Sequence, residues 1–561
     1  MNLRNELVDV LHHNLSGEFD KEIINRMIEK PKFENMGDLA FPCFELAKVL
    51  RKSPQSIALE LSKQLQSPLF EKAEAINGYL NVFYNKDYVT TIVIQQILNQ
   101  KGQYGCSNLG DHKVMTIDFS SPNIAKPFSM GHLRSTVIGN SLALIAEKVG
   151  YRPIRINHLG DWGTQFGKLM VAYKLWGNQE LLTKQPIKQL LNLYVKFHEE
   201  AEKDCKLENL AREWFKKLED GDQEAIHLWK WFRDESLKEF SRIYELLGIE
   251  FDSYCGEAFY NNKMDHVVQL LEEQKLIEQS EGAQVVKLEE DLPPCLIKKS
   301  DGTTLYATRD LAAALYRQET YQFAKSLYVV GNEQNLHFKQ VFAVLEKMGY
   351  TWTEGMIHVP FGMMLKDGKK MSTRKGKVVL LEEVLYDAIS LALEEIKKKN
   401  PALLLKDKVA REVGVGAVIF HDLKNFRKND IDFSLEDMLK FEGETGPYVQ
   451  YAHARASSLL RKGEYEEEHG AICIKDKEAW NIIIHLHSFP VVVQKSYQEY
   501  DPSQIAKYLI NLSKSFNKYY SSVRILENDH LKQQRLTLVY TIKIVLNEGL
   551  RLLGIQTPNE M

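Results

Sequence analysis

A glycine–histidine pair in a polar loop is the first group of residues whose types suit phosphate chemistry. The segment DFSSPNIAKPFSMGHLRST occupies residues 118–136, between a β-branched run and a helical pattern. Gly131 would let a flat base approach the backbone, and His132 at the start of the helix can donate a hydrogen bond to phosphate. The free N–H groups of the first helical turn add positive potential there. An isolated pair of this kind is more often an ordinary surface loop, so the interpretation needs a second element.

A lysine-rich loop supplies that second element. The segment MMLKDGKKMSTRKGKVV covers residues 363–379 and contains six basic side chains, with Asp367 as its acid. A flexible loop of this composition can hold a triphosphate and later release pyrophosphate. A solvated basic loop or a nucleic-acid patch has the same composition, and this segment alone does not distinguish them.

The elements around these segments predict a doubly wound parallel sheet. VMTIDF (114–119) and PIRIN (153–157) have the composition of strands and flank a helical pattern. Ligands of such sheets bind beyond the carboxyl ends of the strands, which is where residues 118–136 lie. The runs QVVKL, SLYVVG and MIHVPFG, from 285 to 360, are predicted as further strands of the same sheet. A helical insertion at about 170–250 interrupts it.

The length of 561 residues is typical of three or four domains, and we predict three. They are an N-terminal α+β domain at 1–110, a Rossmann-like α/β domain at 111–378 and an all-α domain at 379–561. In the first of these, Ser53 can cap a helix that begins with KSPQSIALELSKQL, and INGYLNVFYN has strand composition.

The composition limits the classes of function. A hydrophobic fraction of 44% and a charged fraction of 26% are ordinary for a globular protein with cores. The formal net charge of −4 argues against a non-specific nucleic-acid coat but leaves room for a local basic face. The chain lacks a long apolar run and an apolar segment at its start, so we expect neither a membrane span nor a secretion signal. The 6 cysteines form no C-x-x-C pair, which favours reduced thiols in the cytoplasm over a zinc or redox site.

Longer strings carry a resemblance to a known family. SMGH (129–132) resembles the HIGH signature of class I aminoacyl-tRNA synthetases, and KMST (370–373) resembles their KMSKS signature. Five wider strings resemble arginyl-tRNA synthetases: SSPNIAKPFSMGHLRST, NHLGDWGTQFG, LYATRDLAAAL, GMMLKDGKKMSTRKG and TGPYVQYAHAR. The resemblance covers nearly the whole chain. The chain departs from these signatures at two positions. Ser129 stands where the first signature has a histidine, and Thr373 stands where the second has a lysine. We hypothesise that Arg374 or Lys375 supplies the missing positive charge.

The resemblance implies ATP-dependent ligation of L-arginine to tRNA(Arg) through an arginyl-adenylate. ATP and its associated Mg²⁺ are the implied cofactors, without a tightly bound metal. The carboxylate of arginine is already ionised at about pH 7, so its activation needs alignment and charge stabilisation and no general base. The matching positions for ATP and catalysis are Gly131, His132, Lys370, Met371 and Ser372.

An arginine substrate requires acidic side chains, because a guanidinium donates five hydrogen bonds and accepts none. Tyr306 and Asp310 are four residues apart on a predicted helix and so face the same way. The resemblance implies that Asp310 pairs with the guanidinium, with Tyr306 beside it and Asp118 as a second acid. Each residue has an ordinary alternative: a helix surface pair, or a cap of the loop. The arginine site implied by the resemblance comprises Asp118, Ser121, Asn123, Tyr306, Asp310 and Gln340.

Both outer domains are implied to contact tRNA. The N-terminal domain would meet the tRNA elbow through Asn81 in GYLNVFYN, and the helical domain would bind the anticodon. Tyr448, Tyr451 and Arg455 offer stacking surfaces and a phosphate donor, although the spacing of the tyrosines equally fits a helix core stripe. The resemblance also implies a monomer in the cytoplasm whose partners are tRNA(Arg), L-arginine and ATP, without a membrane.

Three other interpretations stay open. A glutamate, glutamine or cysteine synthetase of the same class would have basic pocket residues or zinc-ligand cysteines. A nucleotidyltransferase would not need the helical C-terminal half. A non-catalytic tRNA-binding paralogue is favoured by Ser129 and Thr373 and opposed by His132 and Lys370.

Overall fold

The computed structural model describes residues 3–15, 18–184, 186–289, 292–300, 306–366, 368–370, 379–467, 472, 474 and 476–561. These form two compact units, each of which is discontinuous in sequence. The first unit is Met1–Tyr104, Arg455–Pro490 and Leu512–Val545. The second unit is Gly105–Ala454, Val491–Asn511 and Leu546–Met561.

The N-terminal part of the first unit packs helices on an antiparallel sheet. The sheet has the order β1-β3-β2, with β3 in the middle. The predicted helix is confirmed as α4, whose cap Ser53 accepts a hydrogen bond from Ser56 N at 3.1 Å. The elements are α1 (Leu3–Asn14), α2 (Lys21–Met27), β1 (Leu39–Pro42), α3 (Phe44–Leu50), α4 (Pro54–Gln64), β2 (Phe70–Ile76), β3 (Tyr79–Tyr84) and α5 (Lys86–Gln100).

The second unit begins as an α/β domain whose helical insertion falls between its second and third parallel strands. Its elements up to the lysine-rich loop are β4 (Val114–Asp118), α6 (Met130–Lys148), β5 (Arg152–Ile156), α7 (Thr164–Trp176), α8 (Gln179–Lys184), α9 (Pro186–Ala201), α10 (Lys206–Glu219), α11 (Gln223–Leu247), α12 (Met264–Glu273), β6 (Ile277–Ser280), β7 (Ala283–Val286), β8 (Cys295–Lys298), α13 (Tyr306–Tyr321), β9 (Lys325–Gly331), α14 (Asn335–Lys347), β10 (Met356–Phe361), β11 (Met364–Lys366) and β12 (Lys369–Lys370).

The chain after the lysine-rich loop is almost entirely helical, as predicted. A two-residue strand, β13, is the exception; it pairs in parallel with β11. The remaining elements are α15 (Leu381–Lys399), α16 (Lys406–Leu423), β13 (Ile431–Asp432), α17 (Leu435–Met438), α18 (Gly446–Gly463), α19 (Lys477–Gln498), α20 (Ser503–Ser522) and α21 (Lys532–Leu552).

The parallel sheet that positions the candidate site has the strand order β10-β9-β4-β5. All three pairings are parallel, which confirms the doubly wound class. The chain passes from β4 to β5 on one side and later returns to the other side of β4 with β9. The order therefore reverses between β4 and β9, and a crevice opens beyond the carboxyl ends of these two strands.

One predicted strand belongs elsewhere. QVVKL was expected in the parallel sheet, but its first residues form β7, the middle of a separate antiparallel sheet with the order β6-β7-β8. Glu281 and Gly282 both have positive φ and turn the chain directly from β6 into β7. So short a connection permits antiparallel pairing only, because parallel strands need a long crossover. Apolar composition alone does not contain this information.

The described part of the chain lacks three features: a membrane-spanning helix, a cluster of metal ligands and a disulfide. No helix there is long and apolar enough to cross a bilayer. Nor does it contain a group of three or more His, Cys, Asp or Glu side chains arranged to hold a metal ion. The free thiols of the described residues are Cys43, Cys106, Cys205, Cys255 and Cys295. The sixth cysteine, Cys473, lies outside the described residues.

Candidate active site

The loop after β4 has an unusual backbone. Ser120, Ser121 and Ala125 adopt positive φ values of 70°, 45° and 58°, in the left-handed region that L-residues rarely occupy. Each such residue costs on the order of 1 kcal/mol, so the surroundings must hold the loop in place. Ser120 N donates to Ser135 Oγ at 2.9 Å on α6, and Ala125 N donates to Ser236 Oγ at 2.8 Å on α11. The first helix of the sheet and the insertion thus jointly impose the loop conformation.

His132 lies in the first turn of α6 as a neutral hydrogen-bond donor. Its Nδ1 accepts a hydrogen bond from Ser129 N at 3.1 Å, which leaves the proton on Nε2. Burial is the main reason that the pKa of His132 is lowered to about 4, and the charge of Lys126 adds to this shift. The hydrogen bond from Ser129 opposes the shift. Phe128 lies against the imidazole with ring centroids 5.1 Å apart. Ser129, the departure from the family signature, is the N-cap of α6, and its main-chain N–H, which any residue except proline would supply, fixes the histidine tautomer.

The helix start is joined by backbone to one stem of the lysine-rich loop. Met130 N donates to Val379 O and Leu381 N donates to Phe128 O, each at 3.0 Å. A Cβ built on Gly131 would meet, among the described residues, only Ser129 Oγ at an ordinary 3.5 Å. Packing within the described chain therefore does not require glycine at this position, and the space above it is open on that side.

The other stem is the hairpin of β11 and β12. Leu365 pairs with Lys370 in this hairpin, so the backbone of Lys370 lies at the start of the loop. Residues 371–378 follow. The predicted Met371 and Ser372 and the side chain of Lys370 lie outside the described residues.

The string HLGDWGTQFG (158–167), which had no predicted role, pairs with the strained loop. Gly160 N donates to Pro122 O at 3.0 Å, and Ile124 N donates to Gly160 O at 3.2 Å. A Cβ at Gly160 would lie 2.4 Å from Oδ1 of Asn123. Glycine is therefore needed here so that the string can position Asn123 at the crevice.

Asp118 has an arginine partner within the chain. Its Oδ2 lies 2.7 Å from Nη2 of Arg317, and its Oδ1 accepts from Ser121 Oγ at 2.9 Å. Burial alone would lower the pKa of Arg317, but the charge of Asp118 outweighs burial and raises this pKa well above its ordinary value. Arg317 also contacts Nδ1 of His158 at 3.3 Å. Because both oxygens of Asp118 are engaged, a substrate guanidinium would have to compete with Arg317 for it.

Asp310 is placed as a charged, partly open acid. Its Oδ2 lies 2.5 Å from Nε2 of His337, and 28% of its side chain remains exposed. Burial would raise the pKa of Asp310, but the bond and charge of His337 outweigh burial and lower it. Tyr306, one helical turn earlier on α13, is 61% exposed. The structure thus brings Asp310 and Tyr306 together, as their spacing predicted.

Glu257 is an acid of this region that the sequence analysis missed. Burial raises its pKa to about 7; Arg309, 3.4 Å away, opposes the shift, while Asp310 and Asp161 reinforce it. The charge of Glu257 in turn helps raise the pKa of Tyr306, after burial. Glu257 begins a short 3-10 helix, Glu257–Lys263, and the signal available in the sequence was an acid within the largely apolar and aromatic string SYCGEAFY.

Gln340 is engaged away from the acids. Its Nε2 donates to Pro293 O at 2.9 Å and to Pro294 O at 3.1 Å, in the segment that leads into β8. The place of Gln340 in the arginine site stays a prediction.

The tRNA-contact residues of the first unit are not freely exposed. Asn81 lies in the middle strand β3, opposite Ala40 and Glu74, and is 4% exposed. Arg455 bonds to Asn517 and lies over the ring of Tyr520 at 4.7 Å. Their contacts with tRNA stay predictions.

The two tyrosines of α18 in the second unit differ in exposure. Tyr451 is 40% exposed and meets Phe441 edge-on at 6.5 Å. Tyr448 is half-buried, and its N–H donates to Thr445 Oγ1 at 3.3 Å. Base stacking and a core stripe therefore both remain compatible with their spacing.

Comparisons with known proteins cover the whole chain. Three family models match: the N-terminal domain of arginyl-tRNA synthetase at residues 1–84, the catalytic domain of class I (R) tRNA synthetases at 93–435 and the DALR anticodon-binding domain at 449–561. Arginine–tRNA ligase 2 of Bacillus anthracis is 58% identical, and the arginine–tRNA ligase of Enterococcus faecalis is 57% identical, with 100% of both chains covered in each comparison. Among solved structures, an arginyl-tRNA synthetase of Thermus thermophilus matches with a TM-score of 0.81 at 25% identity over 100% of both chains.

Proposed function

The chain belongs to the class I arginyl-tRNA synthetases, and on that premise we propose how its residues perform ATP-dependent ligation of L-arginine to tRNA(Arg). One observation carries the proposal. The backbone pairing of residues 128–130 with 379–381 joins the histidine-bearing helix start to the lysine-rich loop, at the switch point of the sheet. We infer that the two joined segments bind the phosphates of ATP, and we assign the guanidinium of arginine to the acids Asp310 and Glu257.

ATP, as its magnesium salt, binds at the first turn of α6. Its base lies over Gly131, and Nε2–H of His132 donates to the phosphates. Because the pKa of His132 is about 4, the imidazole acts as a neutral donor throughout the physiological pH range and does not take up a proton. We assign the contacts with the β- and γ-phosphates, which leave as pyrophosphate, to Lys370, Met371 and Ser372.

Arginine binds between α13 and the loop after β4. Asp310 and Glu257 accept the hydrogen bonds of the guanidinium, and Tyr306 packs against its plane. Ser121 and Asn123 hold the α-amino and carboxylate groups, since both lie on the strained loop that faces the crevice. Asp118, held by Arg317, keeps that loop in register by accepting from Ser121 Oγ.

The reaction then needs alignment more than proton transfer. A carboxylate oxygen of arginine attacks the α-phosphorus of ATP, the bond to the bridging oxygen breaks, and pyrophosphate leaves with its electron pair. The helix N–H groups, His132 and the lysines offset the charge that develops. The 2′-hydroxyl of the terminal adenosine of tRNA(Arg) then attacks the adenylate carbonyl and expels AMP.

The elbow and the anticodon of the tRNA are held outside the catalytic site. We assign the elbow contact to Asn81 and its neighbours on β3, and the anticodon contact to Tyr448, Tyr451 and Arg455. The free cysteines are compatible with a reducing cytoplasm, which we propose as the location of the protein. We propose a monomer as the functional form.

The test is ATP–pyrophosphate exchange with each of the proteinogenic amino acids, with and without total tRNA. Exchange with arginine alone is expected, because Asp310 and Glu257 suit a planar guanidinium, and lysine or a non-cationic amino acid would leave acids unpaired. Exchange with a different amino acid would contradict the assignment of the pocket. Absence of exchange with and without tRNA would favour a tRNA-binding paralogue.

A further inference from the structure

Arg134 makes an unusually dense set of polar contacts in the core of the second unit. It lies on α6 two residues after His132 and is 1% exposed. Its Nε donates to Asp422 Oδ2 at 3.0 Å. The two terminal nitrogens donate to three main-chain carbonyls: Gly362 O at 2.7 Å, Asn429 O at 2.7 Å and Arg427 O at 3.2 Å.

All three carbonyls belong to the base of the lysine-rich loop. Gly362 lies in the two-residue connection between β10 and β11, the first stem of that loop. The segment of Arg427 and Asn429 leads into β13, which pairs with β11. Gly362 N donates to Arg427 O at 2.9 Å, so the two segments are also bonded to each other. One guanidinium therefore ties the first stem and its supporting strand to α6.

The second stem is tied to the same helix by a different device. Residues 379–381 pair with 128–130 through backbone hydrogen bonds, as described above. Both ends of the loop are consequently anchored within the first two turns of α6, on either side of His132. These two anchors hold the described stems of the loop, β11 and residues 379–381, against the start of the helix that carries His132.

On the basis of the proposed function, we propose that Arg134 is a positioning residue for adenylate formation. It sets β11, the first stem of the lysine-rich loop, and the supporting strand β13 relative to His132. A guanidinium suits this task because its planar fork of five donors can serve a carboxylate and three carbonyls at once. A lysine has a single ammonium group on a flexible stem and cannot span the same acceptors.

Stability alone is a weak reason for this arrangement. Buried ion pairs are often no more stabilising than apolar residues of the same volume, because desolvation offsets the attraction. Moreover, Oδ1 of Asp422 is buried without a hydrogen-bond partner among the described residues, so the pair is not saturated. The contacts fix direction and distance instead, and the groups whose position they fix belong to the loop.

The same helix offers a matched control. Lys148, in its last turn, forms an ion pair of similar burial with Glu548 at 2.9 Å, with the side chains 1% and 5% exposed. This pair lies at the opposite end of α6 from His132. A Lys148→Met variant therefore measures the effect of losing one buried ion pair from α6 without touching the lysine-rich loop.

The experiment compares Arg134→Lys, Asp422→Asn and Lys148→Met in the full-length chain. Single-turnover adenylate formation, the dissociation constant of arginine and the melting temperature are measured for each. We expect Arg134→Lys to slow adenylate formation about 100-fold, the effect typical of a displacement of about 1 Å in a catalytic group. Arginine affinity should stay within about 3-fold, because Asp310 and Glu257 do not depend on the loop. Asp422→Asn should show a smaller loss of the same kind, since the three carbonyl bonds remain.

The outcomes separate positioning from packing. Lys148→Met should lose melting temperature but keep its rate of adenylate formation. If Arg134→Lys loses no more rate than Lys148→Met does, or loses arginine affinity in parallel, Arg134 is an ordinary structural residue and the proposal fails. If Arg134→Lys does not fold, Asp422→Asn decides by the same two readouts. Absence of arginine-dependent activity in the parent chain would refute the proposed function and is thereby distinguishable from a failure of the Arg134 proposal.

Discussion

Binding of arginine should expel a proton from Glu257. The pKa of this carboxyl is raised to about 7 by burial, so the free site is partly protonated near neutrality. A guanidinium bound at Glu257 favours the charged carboxylate and moves the pKa back toward the ordinary 4.5. From these values, binding releases about 0.9 proton at about pH 6, about 0.5 at about pH 7 and about 0.1 at about pH 8.

The sign of the linked pH dependence follows directly. The complex needs the deprotonated acid, so protonation of Glu257 competes with arginine as the pH falls below about 7. The apparent dissociation constant of arginine should therefore rise about tenfold for each pH unit below that value and level off above it.

Isothermal titration calorimetry in two buffers of different ionisation enthalpy measures the released proton. Glu257→Gln should abolish the dependence of the heat on buffer. Glu239→Gln is the matched control, because burial and the nearby Glu382 also raise the pKa of Glu239 to about 7, on α11 and outside the arginine site. Heats that are identical in both buffers at about pH 6, or release that persists in Glu257→Gln, would refute the role of this carboxyl.

Three further predictions concern the start of α6, the loop after β4 and the buried ion pair of Arg317 with Asp118. His132→Ala should slow single-turnover adenylate formation about 100- to 1,000-fold, while the parent rate shows no inflection near the ordinary histidine pKa; a loss below about 3-fold would contradict the donor role. Gly160→Ala should cost about 1–3 kcal/mol in chemical denaturation and weaken arginine binding, because its Cβ would lie 2.4 Å from Asn123 Oδ1; unchanged stability and affinity would argue against the close pairing. Arg317→Met should cost about 3–5 kcal/mol by leaving Asp118 buried and unpaired, and adding Asp118→Asn should restore part of it; no recovery would mean that packing, not charge, is lost.

The phosphate-binding part of the site was accessible to sequence reasoning because its chemistry is local. A strand, a loop and a glycine–histidine pair at a helix start are contiguous in the chain, and they place N–H groups and an imidazole together wherever the helix goes. The same holds for Tyr306 and Asp310, whose relative orientation needs only the helical period. These patterns could not reveal that the main-chain N–H of Ser129 fixes the tautomer of His132, because that contact depends on the backbone of the N-cap and not on its side chain.

The arginine site was harder to predict from the sequence, because the role of an acidic side chain depends on the group that it is paired with. Asp118 and Asp310 look alike in the sequence, yet the structure gives the first an arginine at 2.7 Å and the second a histidine at 2.5 Å. Glu257 went unnoticed at the start of a short 3-10 helix, Glu257–Lys263, and the assignment of Gln340 to the arginine site stays a prediction. QVVKL was assigned to the wrong sheet for a related reason: its pairing partner is set by a tight turn and not by its own apolar residues.

By itself, then, the sequence determined the family, the doubly wound class, the helical C-terminal part and the two phosphate-binding segments. Each of these depends on contiguous residues and on helix or strand periodicity. Only the tertiary structure decided which acids are already paired, how Arg134 ties the lysine-rich loop to α6 and where the pKa of Glu257 lies. Those properties come from burial and from contacts between residues far apart in the chain, and no single segment of the sequence predicts such contacts.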